Sequence, residues 1–467
     1  MDRTGQITRG IAEYVARTGY DDLSEEAVES TKKSILDTIG IMLPATTLTP
    51  VSDLVHDLYT ELDGGGECTL VGYGEKASVL TAAMINGSLT HAVDFDDFSG
   101  IEKPLVHPTA NCLPAALALG EYLNARSDED APQVTGRDLI CAVTLGNDVG
   151  IRMCCAVKGS AMHDYDFFPQ TVFGVFQATV AACKLLGLSA DQTADALGLA
   201  VNRVSGITES LFSCEFRSIR DSFGNEEGIR CALLAARGFS GSRNALEVLY
   251  DVIYGGNVDP TPLTDQLGEE FYTVKLVGYK PWPSCQSTQP YAQAVIEARE
   301  KHNIAPQDIV GIRFTGCSNG ADTFFPKEEK ARPQTGITAK TSLPYVAAVA
   351  ALRGTIALSD FEVGRLADPE TLAMAERMEF QVDDEMPLTS ALVEIDLADG
   401  RRIEHRVDVL RGNVLNPMGA DELAAKFRAN ARMGKAPLSD AAIEELIDVV
   451  GHLDEQPSLE ALTRCLA

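Results

Sequence analysis

Apolar positions recur three and four residues apart through most of the first 260 residues, with short Gly- or Pro-marked gaps between the runs, and this period predicts helix after helix. "SEEAVESTKKSILDTIGIML" opens on Ser24 as a capping residue, with acids in its first turn and lysines beyond it, a sound helix start. "KASVLTAAMINGSLTHAVDFDD" and "HPTANCLPAALALGEYLNAR" are Ala-rich and apolar on nearly every side, as buried helices are. The first is expected to remain helical to its acidic end, the second to begin at Pro108. "TGRDLICAVTLGNDVGIRMCCAV" opens on Thr135, "FPQTVFGVFQATVAACKLLGL" runs from Pro169 to Gly187, and "SADQTADALGLAVNRVSGI" starts on Ser189. Near residue 270 the character changes. "PQDIVGIRFTG" alternates like a strand, and "ALVEIDLADGRRIEHRVDVL" reads as two strands joined at Asp399 and Gly400. "TSLPYVAAVAALRG" between them is a helix, and helices return after about residue 416. The predicted fold is mainly α: a helical domain over 1–270, a smaller α+β insertion over 271–412, and C-terminal helices over 413–467 that return to the helical domain.

Composition narrows the partners. A chain of 467 residues exceeds one ordinary core. The formal net charge of -29 argues against nucleic acid and anionic membrane, and any anionic substrate needs a local basic pocket. No apolar run approaches membrane-spanning length and the N-terminus lacks an h-region, so a cytoplasmic location is expected. Eleven cysteines, with no CxxC spacing, read as small buried hydrophobes rather than a disulfide framework.

Candidate chemistry gathers in "HAVDFDDFSGIEKPLVHP", residues 91–108. Carboxylates amid apolar residues are rarely buried unless paired or working. On a helix, His91, Asp94 and Asp97 share one stripe and could hold a divalent ion; the alternatives are an acidic helix end or an acid/base pair of Asp94 with His107. The Gly-rich "GGGECTLVGYGEK" lacks the ending and spacing of a phosphate loop and reads as a turn before a helix. In "CEFRSIRDSFGNEEG", Arg217 and Arg220 are expected one helical turn apart, as a surface ion pair or a carboxylate clamp. Lys280, between prolines in "YKPWP", is either a snorkelling lysine or a fixed cation.

"HAVDFDD…HPTANCLPAALALGE", "FPQTVFGVFQATVAACKLLGLSADQTADALGLA", "YKPWPSC", "AKTSLPY" and "NPMGADELAAKFR" together resemble, in order over nearly the whole chain, the MmgE/PrpD family. The resemblance implies a helical domain interrupted by an α+β lid domain, a homodimer, and lyase or isomerase chemistry without metal or organic cofactor. It places Asp94, His107, Lys280 and Tyr345 as catalytic residues, and Arg217, Arg220, Phe168 and Lys340 as the groups that meet a small di- or tricarboxylate. A 2-methylcitrate dehydratase-like hydro-lyase ranks first, cis-aconitate decarboxylase-like or iminodisuccinate epimerase-like activity second; all can pass through a carbanion or aci-carboxylate. The chain departs from the family in Phe168, where many members have a histidine, in Arg217-Ser218, where many have Lys-Pro, and in Phe98. These departures imply a substrate with a larger apolar part, with His163 a possible replacement imidazole. A non-catalytic ligand-binding member and a metal-dependent hydrolase are the readings from other classes.

Overall fold

Capping chemistry sets most helix starts. Ser24 accepts from the Ala27 amide at 3.2 Å, and Thr135 and Ser189 each form a reciprocal capping box with Asp138 and Gln192. In the computed structural model, which describes residues 5–100, 106–126, 133–159, 164–208 and 215–466, two compact units emerge. The first comprises Met1–Ala92, Leu105–Val277 and Gly419–Ala467; the second, Val93–Pro104 and Gly278–Met418.

The first unit is helical. Its main helices are α1 (Glu25–Leu48), α2 (Val79–Leu89), α3 (Leu113–Arg126), α4 (Gly136–Cys155), α5 (Pro169–Leu185) and α6 (Arg220–Ala236). α5 packs on both α4 and α6, and α6 also packs on α2. Glycines permit the close crossing of α5 and α6: a Cβ at Gly228 would lie 2.4 Å from Ala178 Cβ and 2.7 Å from the Thr179 amide nitrogen. The C-terminal helix Ala420–Ala431 returns to α1, where Lys426 pairs with buried Asp37 at 2.7 Å. No single helix among the described residues is long and apolar enough to cross a membrane.

The second unit holds a four-stranded sheet of β1 (Ile309–Gly316), β2 (Met378–Val382), β3 (Ala391–Leu397) and β4 (Arg402–Val407), in the order β2-β1-β3-β4. β1 pairs parallel with β2 and antiparallel with β3, and β3 pairs antiparallel with β4. Gly400, with φ of 85°, makes the β3–β4 turn. The helices α7 (Gln289–His302) and α8 (Leu343–Arg353) pack on each other, and α7 also lies on the sheet. The mainly α class with a smaller α+β part is therefore present.

Several local expectations are corrected. α2 ends at Leu89, where the Thr90 hydroxyl donates to the Gly87 carbonyl at 2.8 Å, so "HAVDFDD" is a turn and its acids share no helical stripe. The Gly-rich stretch is a hairpin, Cys68–Leu70 with Glu75–Ala77. Pro108 precedes a single 3₁₀ turn, Thr109–Asn111, and the long helix begins only at Leu113. Arg217 lies in the 3₁₀ turn Glu215–Ser218 and Arg220 opens α6, so they do not share one helix face. No disulfide occurs among the described cysteines. His163 and residues 101–105 lie outside the described residues.

Candidate active site

In the second unit, the acidic turn meets the Pro-flanked lysine. Asp94 adopts φ of 50°, a left-handed conformation that Asp tolerates better than most residues. This turns its carboxylate and its carbonyl toward one ammonium. Lys280 Nζ donates to Asp94 Oδ1 at 2.6 Å and to the Asp94 carbonyl at 3.3 Å, and lies 3.4 Å from Asp96 Oδ1. All three side chains are buried. The lysine backbone is fixed by its neighbours: the Tyr279 amide donates to the Gly412 carbonyl at 2.8 Å, and Gly412 has φ of 88°. A Cβ there would sit 1.8 Å from the Tyr279 oxygen, so only glycine fits. Burial opposes the charge on Lys280, but Asp94, Asp96 and the hydrogen bond to Asp94 outweigh it and hold the ammonium above the usual lysine range. Asp94 therefore serves Lys280 as a counter-ion.

Lys340 belongs to the same unit and differs in kind. It ends the short helix Gly336–Lys340, is 4% exposed, and its carbonyl accepts from the Cys285 amide at 2.9 Å. Its ammonium sits 5.6 Å from the centre of the Phe361 ring. Burial pushes it down to about 8; Asp94 opposes that shift and Lys280 adds to it. Tyr345, on the first turn of α8, is buried too, but its hydroxyl lies 3.0 and 3.2 Å from the carbonyls of Asp360 and Arg365. Its single proton is committed to the backbone, which makes it a packing tyrosine in this arrangement.

In the first unit, a second group forms around Arg220, which is 1% exposed rather than on the surface. Its Nη2 lies 3.0 Å from His91 Nε2, its Nη1 donates to the Arg217 carbonyl at 3.1 Å, and the guanidinium lies over the Phe168 ring at 4.7 Å. Arginine can only donate, so His91 Nε2 accepts and the imidazole is neutral, with its proton on Nδ1. That lone pair is then spent, which removes His91 Nε2 from the expected metal set. The His91 and His107 rings lie 4.8 Å apart. The side-chain amide of Gln170 clamps the His107 backbone from both sides, accepting from its amide at 2.5 Å and donating to its carbonyl at 3.0 Å.

The residues singled out in advance thus divide between the units: Asp94, Lys280, Lys340 and Tyr345 in one, and His107, Arg217, Arg220 and Phe168 in the other. Asp96 and Gln170 were missed as site residues, and His91 was considered only as a metal ligand. Asp96 and His91 lay inside the motif already quoted, and Gln170 in the "FPQT" that starts α5. What was invisible was their partners.

The MmgE/PrpD N-terminal domain matches residues 9–257 and the MmgE/PrpD C-terminal domain residues 282–451, so the chain belongs to the MmgE/PrpD family, and it is a lyase. Similar proteins include cis-aconitate decarboxylase of Aspergillus terreus, 25% identical over 98% of this chain and 96% of that one. The Homo sapiens protein of the same name is 27% identical over 98% of this chain and 94% of its own. The Mus musculus one is 25% identical over 98% and 93%.

Proposed function

We propose that the chain is a carboxy-lyase that removes CO2 from cis-aconitate or a closely similar unsaturated tricarboxylate. The observation that carries this reading is the Lys280–Asp94–Asp96 cluster: a buried ammonium kept charged by two carboxylates. Loss of CO2 from an acid leaves an electron pair on carbon, and that charge spreads into a neighbouring carboxylate as an aci-carboxylate. A desolvated, permanently charged ammonium aimed at such an oxyanion stabilises it far more than it would in water. Near-full-length similarity to proteins named cis-aconitate decarboxylase supports this reading over the hydro-lyase activity expected first from the sequence.

The test is a proton NMR assay of the purified protein with cis-aconitate and, separately, with 2-methylcitrate, comparing wild type with Lys280→Met. Decarboxylation of cis-aconitate that falls by at least about 100-fold in the variant is expected, the size seen when one oxyanion-stabilising donor is removed. Dehydration of 2-methylcitrate with cis-aconitate left intact would overturn the assignment.

A further inference from the structure

Lys280 and Lys340 are buried cations of one unit, yet their surroundings suit them to different work. Lys280 is held by two carboxylates. Lys340, among the described residues, makes no ion pair and donates no hydrogen bond; its neighbour is the face of Phe361 at 5.6 Å. Beyond that ring face and the field of Asp94, no described partner holds an ammonium there, and a buried charge without an ion pair costs stability that a methionine in the same space would not. Its backbone is nonetheless fixed at both ends of the helix, by the Thr335 capping box and by the Cys285 amide.

We propose that Lys340 is the proton donor of the reaction, handing its Nζ proton to the carbanion that loss of CO2 leaves on the substrate. This rests on the carboxy-lyase reading. The C–C bond to the leaving carboxylate breaks and its electron pair stays behind, delocalised into an adjacent carboxylate. A C–H bond then forms as the Lys340 N–H bond breaks, leaving a neutral amine that takes a proton back from solvent. One carboxylate and one proton become CO2 and a C–H bond. Lys280 is unsuited to this role, because its proton is held by the carboxylates of Asp94 and Asp96. The charged groups that bear on Lys340 are Asp94, which favours its protonation, and Lys280, which opposes it. A donor poised near the working pH transfers a proton in either direction at little cost.

The experiment follows proton NMR in deuterated buffer, first with cis-aconitate and then with its decarboxylation product, for wild type, Lys340→Arg and Lys340→Met, with thermal melts to confirm folding. Arginine keeps the charge but does not release its proton. Expected is a loss of about 100- to 10,000-fold in kcat for Lys340→Arg with KM changed less than about threefold, and an alkaline limb near pH 8 in wild type that the variant lacks. By reversibility, wild type should also wash solvent deuterium into the product carbon, and both variants should lose that exchange. Decarboxylation that survives within about threefold in both folded variants overturns the role of Lys340 and leaves the carboxy-lyase reading standing. Wild-type exchange that both variants lose, without any decarboxylation, keeps Lys340 as the proton-transfer residue and sinks the carboxy-lyase reading. No exchange in wild type overturns the proposal.

Discussion

Lys340 is the residue at which stability and chemistry pull apart. Its folded-state value near 8 lies below the ordinary 10.5, so between those two pH values the unfolded chain binds a proton that the folded chain does not. Stability contributed by this position therefore rises as pH climbs from about 8 to about 10.5, and below 8 the folded state bears the full cost of a buried, unpaired ammonium. Lys340→Met is expected to raise stability at pH 7 by about 2–3 kcal/mol, with the gain shrinking towards pH 10. Urea unfolding of variant and wild type at both pH values reads this directly; a variant less stable at pH 7 would mean that the ammonium has a strong partner. Lys280 should not show this behaviour, since its carboxylates push its value the other way. None of this contrast is legible in the chain. "YKPWP" and "AKTSLPY" each offer one lysine in an apolar setting, and the counter-ion that separates them, Asp94, lies 186 residues from Lys280.

At the scale of elements, capping and periodicity were legible and close packing was not. Ser24, Thr135 and Ser189 all cap helices where their side chains suggested, because a cap is a local hydrogen bond. α2 was drawn too long because it is apolar on every face, so its period carries no mark where burial continues but the helix stops at Thr90. The edge strand β2, "MEFQV", shows no clean alternation and went unread. The glycines of α6 could not be read either: mid-helix glycine looks like a defect, yet Gly228 is where α6 meets the backbone of α5. Gly228→Ala should gain up to about 1 kcal/mol of helix propensity and lose more to overpacking, for a net loss of about 1–2 kcal/mol. Gly10, in the helix Gln6–Arg17 with no atom within 4 Å of its would-be Cβ, is the control: Gly10→Ala should stabilise by about 0.5–1 kcal/mol. Chemical denaturation of the two variants side by side tests the pair, and a Gly228→Ala as stable as Gly10→Ala would show that the α5–α6 crossing can open without penalty.

Over the whole molecule, the family domains and the packed units divide the chain differently. The C-terminal family domain runs through residue 451, but residues from Gly419 onward belong physically to the first unit, through the buried Lys426–Asp37 pair and the seat of Phe427 against Gly40. Interactions that cross such long sequence separations must hold against a second global term, the charge itself. With 68 acids against 39 lysines and arginines, the exposed ion pairs leave a large excess of carboxylates unmatched. Pairs such as Arg428–Glu444 and Arg402–Asp396 are surface contacts that contribute little, and salt weakens them. The same salt screens repulsion among all the excess carboxylates, and at a formal net charge of -29 that repulsion is the larger quantity. The melting temperature should therefore rise by about 2–5 °C as NaCl increases from about 0.01 M to about 0.5 M, over which the screening length contracts from about 30 Å to below 8 Å. KCl should act as NaCl does, because screening depends on ionic strength and not on the ion. A flat or falling melting temperature would show that the surface pairs, and not the unmatched acids, govern the electrostatics of the folded state.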